Sequence, residues 1–267
     1  MAHFEVLMSP VQKPWAKRAM KSIAENCNSE ITYEYKGEST WLVVCGWGGQ
    51  FVQDAFTKHR AKNKPVIVLD MSYLSRDKFS YRISINYLHP YNQLHLADPQ
   101  DRLSKHKIKI KEWYNPDGHI LLLGISNKSC AAYGYQFQQW EKEQLKIIKS
   151  IYGDRPIVYR PKPAHPAQLQ GTIDGSKGEI QQWLKDCAVA IVHHSNVAID
   201  CAVHGIPCVA VDGIGKNTYP DTLTVNMPIL TIEQRLTFLH QVSWFTWDIN
   251  ESREMIRFAK RIQRNIL

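Results

Sequence analysis

The densest polar chemistry in this 267-residue sequence lies at Val192-His193-His194-Ser195-Asn196, between an apolar run and the helical pattern Val197 to His204, which Gly205 stops ahead of a second apolar run. Ser195 has the type and place of a helix N-cap. The helix start it announces offers backbone N–H groups and a positive dipole end to a phosphate. Asp200, a turn into that helix, can reach the hydroxyls of a ribose bound at the same end. An ordinary capped helix carrying a solvated acid is an equally good reading of these residues. One unit earlier a strand closes in Arg160-Pro161-Lys162-Pro163. A forked guanidinium and a point-charge ammonium on a proline-fixed backbone suit a diphosphate, with a plain basic loop as the alternative. In the first half, Asp70 ends the run Val66–Leu69. An acid at the tip of a core strand can take a proton from a hydroxyl, or merely cap a turn. Arg82 is a candidate for steadying a phosphate. His89 is an alternative base, or a structural residue ahead of Pro90. Gly46, Gly48 and Gly49, around Trp47, would let a ligand approach the backbone closely. Their spacing is not the dinucleotide fingerprint, and no acid sits about twenty residues on in a fitting context.

These residues hang on alternating apolar strands and helical patterns. In the first half, strands are expected at Phe4–Met8, Trp41–Cys45, Val66–Leu69 and near Arg82–Ile85. Helices are expected from Pro14–Trp15 to Asn26, with proline at the start, and over about 50–61. Residues 98–118, rich in Lys, Asp and Pro, read as a connecting segment. The second half repeats the rhythm. Its strands are His119–Leu123, Pro156–Tyr159, Ala188–Val192 and Pro207–Val211. Its helices are Gln138–Ile151, Ile180–Cys187 behind the capping-box spacing Ser176–Glu179, and Asn196–His204, with two more near 231–241 and 250–265. Continuous apolar strands joined by helices mean parallel sheets covered on both faces. The expectation is an α/β protein of two Rossmann-like lobes, 1–118 and 119–267, with a cleft between them. In such sheets Arg160 and Ser195 share the C-terminal edge, where ligands bind.

The segment from Ser195-Asn196 through Asp200 to Gly205-Ile206-Pro207-Cys208-Val209 resembles the donor-binding end of GT-B glycosyltransferases, and Arg160-Pro161-Lys162-Pro163 resembles their Arg-Pro-His/Lys-Pro signature. The likeness is to capsule-polysaccharide-type transferases and to small phage-encoded glycosyltransferases. The phage group shares Gly46-Trp47-Gly48-Gly49, Val66–Leu74, Tyr81-Arg82-Ile83-Ser84-Ile85-Asn86 and His89-Pro90. The resemblance implies Asp200 on the ribose of a nucleotide sugar, one methylene shorter than the usual Glu. It also implies His194, Ser195, Asn196, Arg160 and Lys162 around the diphosphate. Asp70, from its place at the tip of a core strand, is the expected base that deprotonates the acceptor.

Composition narrows the classes. The chain has 33 Lys+Arg against 25 Asp+Glu, a net charge of +8, with 44% hydrophobic and 22% charged residues. This is a globular composition. Its apolar runs are far shorter than the ~20 residues of a membrane span. The start lacks the pattern of a secretory signal, so a cytoplasmic location is expected. Six cysteines without a Cys-x-x-Cys pair read as reduced thiols. Gly213-Ile214-Gly215-Lys216-Asn217-Thr218 has Asn217 where a P-loop needs Ser or Thr. No Asp-x-Asp triplet occurs, and His193-His194 lacks partners at zinc spacing, so no metal is expected. The expected function is therefore metal-independent transfer of a sugar from a nucleotide sugar, a UDP-sugar, to a hydroxyl acceptor. The phage-like resemblance and the basic charge point to a hydroxylated pyrimidine in DNA, with phosphate contacts from Lys105–Lys111. A nucleotide-sugar epimerase of similar fold and a non-catalytic nucleic-acid-binding module are the alternatives.

Overall fold

The computed structural model describes residues 3–47, 49–75, 79–163 and 166–266. The elements run β1 (Phe4–Leu7), α1 (Pro14–Cys27), β2 (Ile31–Thr32), β3 (Trp41–Cys45), α2 (Gln50–Ala61), β4 (Val66–Met71) and β5 (Ser80–Ile85). Then come β6 (His119–Leu123), α3 (Asn127–Tyr133), α4 (Gln139–Tyr152), β7 (Ile157–Arg160), β8 (Ile173–Asp174), α5 (Ile180–Leu184), β9 (Cys187–Val192), α6 (Val197–His204) and β10 (Cys208–Ala210). The chain closes with α7 (Ile232–Ser243), β11 (Thr246–Asp248) and α8 (Ser252–Ile266). Two compact units result, 1–106 with 240–267, and 107–239.

In the first unit the sheet order is β11-β5-β4-β3-β1-β2. β2, β1, β3 and β4 are parallel, and all of β1 and β3 is buried, as continuous apolar strands require. β1 lies between β2 and β3, so the switch point falls at the β1–β3 junction. The expectation of purely parallel sheets fails at one edge. β5 runs antiparallel to β4, and β11 antiparallel to β5. The connection from Met71 to Ser80 is shorter than the dozen or more residues a parallel crossover needs, so the chain turns straight back.

The C-terminal segment also differs from expectation, because 240–267 groups with the first unit rather than the second. Thr246, Trp247 and Asp248 pair with Arg82, Tyr81 and Ser80 of β5, and α8 packs on α1, with Met255, Ile256, Ala259 and Ile262 among its buried residues. Arg102 pins this return. Its guanidinium lies 3.8 Å from the Trp247 ring centroid, donates to the carbonyls of Ser243 and Thr246, and pairs with Glu251.

The second unit is an all-parallel sheet in the order β10-β9-β6-β7-β8. This is a Rossmann half: its first strand, β6, is central, with β7–β8 on one side and β9–β10 on the other. Ile120, Leu122, Tyr159, Ile191 and Val209 pack with Trp140 and Ile148 of α4 in its core. α5 is shorter than expected. It stops at Leu184, where Lys185 turns to extended geometry, and Asp186 at φ 58° leads into β9 at Cys187. Its N-cap is Glu179, without the side-chain cap the spacing predicted. Residues 107–118 form no strand, but the segment is anchored: Lys111 and Trp113 donate backbone N–H groups to the carbonyls of Val203 and His204 at the end of α6. All six cysteines are free thiols, five of them buried. No helix among the described residues is long and apolar enough to cross a membrane.

Candidate functional site

Chemistry-bearing side chains collect at the C-terminal edge of each sheet. In the first unit, Asp70 and Arg82 face each other directly in the β4–β5 register. Arg82 donates from Nη2 to Asp70 Oδ2 at 3.0 Å, and Asp70 Oδ1 accepts the Met71 N–H at 2.7 Å. Arg82 Nη1 donates to the Leu88 carbonyl at 2.6 Å, and its guanidinium stands 5.0 Å from the Tyr73 ring centroid. The Tyr73 hydroxyl shares a 3.0 Å hydrogen bond with His89 Nδ1. Asp70, Arg82 and His89, separate candidates in the sequence, thus form one connected group, with Tyr73 as the link that sequence reasoning missed.

Burial sorts their roles. Arg82 and His89 are buried, whereas the Asp70 side chain is 33% exposed. Only the acid is presented to solvent. Cys45, at the tip of the adjacent β3, feels the same group: burial pushes its thiol well above the ordinary range, Asp70 adds to the rise, and Gln12 hydrogen-bonds to it. Gly46 follows at φ 76°, a conformation that favours glycine. Gly49 precedes α2 in ordinary extended geometry, and a Cβ at either position would meet nothing within 4 Å. Gly48 lies outside the described residues.

In the second unit the decisive place is the switch point between β6 and β9. The chain leaving β6 passes through Gly124, Ile125 and Ser126 into α3. Ser126 caps α3, its Oγ accepting the Ser129 N–H at 3.2 Å. The Ser126 and Ser129 hydroxyls lie 2.9 Å apart, Ser129 Oγ is 3.0 Å from His194 Nε2, and His194 Nδ1 is 3.2 Å from His193 Nδ1. A continuous polar chain therefore spans the crevice where open α/β sheets bind ligands. Tyr133 of α3 closes it, its hydroxyl donating to Asp212 after β10 and its ring 4.3 Å from that of His193. Burial pushes the His193 imidazole below its ordinary pKa, with Asp212 opposing. Ser126, Ser129, Tyr133 and Asp212 were missed by sequence reasoning. The Ser-x-x-Ser spacing just after an apolar strand was the available signal.

The remaining predicted residues fall as follows. Asn196 rather than Ser195 occupies the α6 cap position, with no side-chain capping bond to the helix N–H groups, and Ser195 Oγ accepts the Val197 N–H at 3.3 Å from one position earlier. Asp200 is half-buried in the first turn of α6. Arg160 ends β7 on the expected edge, in register with Leu123. Its guanidinium, however, donates to the carbonyls of Gly175 at 2.7 Å, Lys177 at 3.3 Å and Gly178 at 2.8 Å. The fork expected for a diphosphate is holding a loop. Lys162 is half-buried just beyond. No group of three or more His, Cys, Asp or Glu able to hold a metal occurs among the described residues.

No protein-family model matches the chain, and neither does any curated protein. Among solved structures, the β-Kdo 2,7 transferase of KpsC from Thermosulfurimonas dismutans is similar with a TM-score of 0.53 and 14% identity, over 97% of this chain and 99% of that one. The fold is GT-B-like. The β-Kdo 2,4 transferase of KpsC from the same organism gives a TM-score of 0.49 at 10% identity, over 98% and 99% of the two chains. Open α/β sheets bind ligands outside the C-terminal ends of their strands, and both sheets here carry the polar groups described above at that edge.

Proposed function

We propose that the chain is a metal-independent glycosyltransferase that moves a sugar from a nucleotide sugar to a hydroxyl acceptor. The observation that carries this reading is the Ser126–Ser129–His194–His193 chain across the switch point of a Rossmann half. Hydroxyl and imidazole groups at such a crevice suit phosphate oxygens. The likeness in fold to a protein named as a Kdo transferase supports the same class. Independence from metal rests on the sequence, which has no Asp-x-Asp triplet.

In this reading the second unit holds the donor, a UDP-sugar: Ser129, His194, Ser195, Asn196 and Lys162 at the diphosphate, and Asp200 at the ribose. Arg160 acts one step back, by fixing the loop at 175–178. In the first unit Asp70 takes the acceptor's hydroxyl proton as that oxygen bonds to the anomeric carbon and the nucleotide diphosphate leaves. Arg82 holds the carboxylate in place. The acceptor to try first is a hydroxylated pyrimidine in DNA, which would have to leave the base stack to be reached.

The test is incubation with labelled nucleotide sugars, with and without DNA carrying hydroxymethylated pyrimidines. Label in DNA supports transfer to that acceptor, and isomerised sugar without transfer supports an epimerase instead. If no uridine, cytidine or guanosine nucleotide sugar raises the melting temperature, the donor site is refuted.

A further inference from the structure

The loop that carries Ser126 and Ser129 to the switch point is held from behind by a buried acid. Glu141, in the first turn of α4, is 1% exposed. Its Oε1 accepts the Ile125 N–H at 2.8 Å, whereas its Oε2 is buried with no hydrogen-bond partner. A half-used buried carboxyl is costly to keep, and an apolar side chain would fill the same space more cheaply. The neighbouring bonds show what the acid does. Gly124 N–H is taken by the Arg160 carbonyl, and Cys130 N–H by the Ser126 carbonyl. Gly124 itself is wedged, since a Cβ there would come 2.6 Å from the Tyr159 hydroxyl and 3.2 Å from Pro161 Cα. Between those fixed points, Ile125 N–H is satisfied by a side chain, and that side chain is Glu141.

We propose that Glu141 is a positioning residue for the ligand site: by holding Ile125 it sets the path from β6 into α3, and with it the hydrogen bond between Ser129 and His194. The proposal rests on the donor-site reading above only in naming what the site binds. The groups packed around the carboxyl, Cys130 and Tyr159, reflect its setting. Burial pushes the Tyr159 phenol up to about 12, with Glu141 adding to the rise, and burial likewise raises the Glu141 carboxyl itself.

Two variants test this in the full chain. Glu141→Gln keeps an oxygen to accept from Ile125, and Glu141→Met keeps the bulk without it. The first readout needs no ligand: the ring nitrogen shifts of His194 by NMR, assigned by their disappearance in His194→Gln. Glu141→Met is expected to move the His194 signals and Glu141→Gln to leave them near wild type. The second readout is the dissociation constant for UDP, expected about tenfold weaker in Glu141→Met and within about twofold of wild type in Glu141→Gln, tenfold being 1.4 kcal/mol. If Glu141→Met lowers the melting temperature yet leaves His194 unmoved, the role is purely structural and the proposal is overturned. Equal disturbance by both variants also overturns it. Failure of the wild-type protein to bind any nucleotide would sink the donor reading alone, because the His194 signals still decide the role of Glu141.

Discussion

Replacing Arg82 and replacing Asp70 should have different consequences, although the two form one ion pair. Arg82 is 3% exposed and makes three contacts at once: the Leu88 carbonyl at 2.6 Å, Asp70 at 3.0 Å and the Tyr73 ring at 5.0 Å. In Arg82→Met the charge-assisted bond to the half-buried Leu88 carbonyl is lost, about 1.5–3 kcal/mol. The pair with one-third-exposed Asp70 adds at most about 1 kcal/mol after solvent screening. The ring contact adds roughly 0.5–1 kcal/mol. The total is about 2–5 kcal/mol, felt where β4 and β5 pair. Asp70→Asn keeps an oxygen for the Met71 N–H and leaves Arg82 bonded to Leu88, so it should cost about 1 kcal/mol or less. A two-unit chain need not unfold in a single step, so the assay is native-state hydrogen exchange read by mass spectrometry on peptides covering 66–71 and 80–85. At 1.4 kcal/mol per tenfold, Arg82→Met should speed exchange there by about 30- to 4,000-fold and Asp70→Asn by less than about fivefold. Sugar transfer should reverse the ranking of cause: Asp70→Asn, well folded, should lose about 10²–10⁴-fold as a missing general base. Equal exchange in the two variants would refute the division of labour. An Asp70→Asn protein that transfers at full rate would remove the acid from the mechanism.

Four other outcomes follow from the same geometry. His59 is fully buried, and burial pushes its pKa down to about 4, below the ordinary 6.5. The unfolded chain then binds the proton first, so stability is full above 6.5 and falls as pH drops from 6.5 towards 4; His59→Gln should flatten the melting temperature over that window. Glu251 works in a lower one. Burial alone would raise it, but hydrogen bonds from Arg102 and Lys105 hold it at about 2, so its contribution is present above 4.5 and lost as pH falls towards 2, a loss absent from Glu251→Gln in acid titrations followed by circular dichroism. Gly124→Ala would drive a methyl to 2.6 Å from the Tyr159 hydroxyl and should cost about 1–3 kcal/mol in denaturant unfolding, while Gly49→Ala, with open space around it, should be near neutral. If DNA is the acceptor, replacing Lys107, Lys109 and Lys111 together by Gln should flatten the slope of log affinity against log salt by about 2–3 in anisotropy titrations, without changing nucleotide binding.

What the sequence disclosed follows from which interactions leave a local mark. The core strands were legible to within a residue or two, because Trp41–Cys45, His119–Leu123 and 187–192 are unbroken apolar runs buried on both faces. The direction of β5 was not, because periodicity is the same for either direction and the deciding fact is the length of a connection. β11 escaped notice because three residues, Thr246–Asp248, become a strand only through pairing with Ser80–Arg82 at the other end of the chain. α3 escaped because a seven-residue helix is too short to show a period, although its Ser126 cap was in plain view. At the site, Tyr73, Ser126, Ser129, Tyr133 and Asp212 went unnoticed, whereas the sheet edges and Asp70, Arg82, Arg160 and His194 were readable as residue types. Their partners were not, since the carbonyls of Leu88, Gly175 and Gly178 that accept from Arg82 and Arg160 carry no side-chain signature at all.

The arginines bear on what the net charge of +8 can do. Arg82, Arg102, Arg160 and Arg235 all spend their guanidinium donors on backbone carbonyls: Leu88 for the first, Ser243 and Thr246 for the second, the 175–178 loop for the third, and Ala202, Lys111 and Val203 for the fourth. Several of these carbonyls lie in bends or in the last turn of α6, where a forked donor can satisfy more than one acceptor at once. Arg235 does this for the C-terminal turn of α6 and also pairs with Glu112, so the helix that carries Asp200 is fixed from its far end. Such groups still contribute to the long-range field that draws in an anion. The bonds in place there commit much of each guanidinium to shaping the loops. In the proposed reaction close contact with an anionic ligand is assigned to residues of another kind, the hydroxyls and imidazole of Ser126, Ser129 and His194 at the switch point and exposed lysines such as those at 107, 109 and 111. The first set suits a compact, oriented ligand held in a crevice. The second suits a long polyanion gripped loosely and sensitive to salt, which is why the two halves of the proposed reaction can be tested separately.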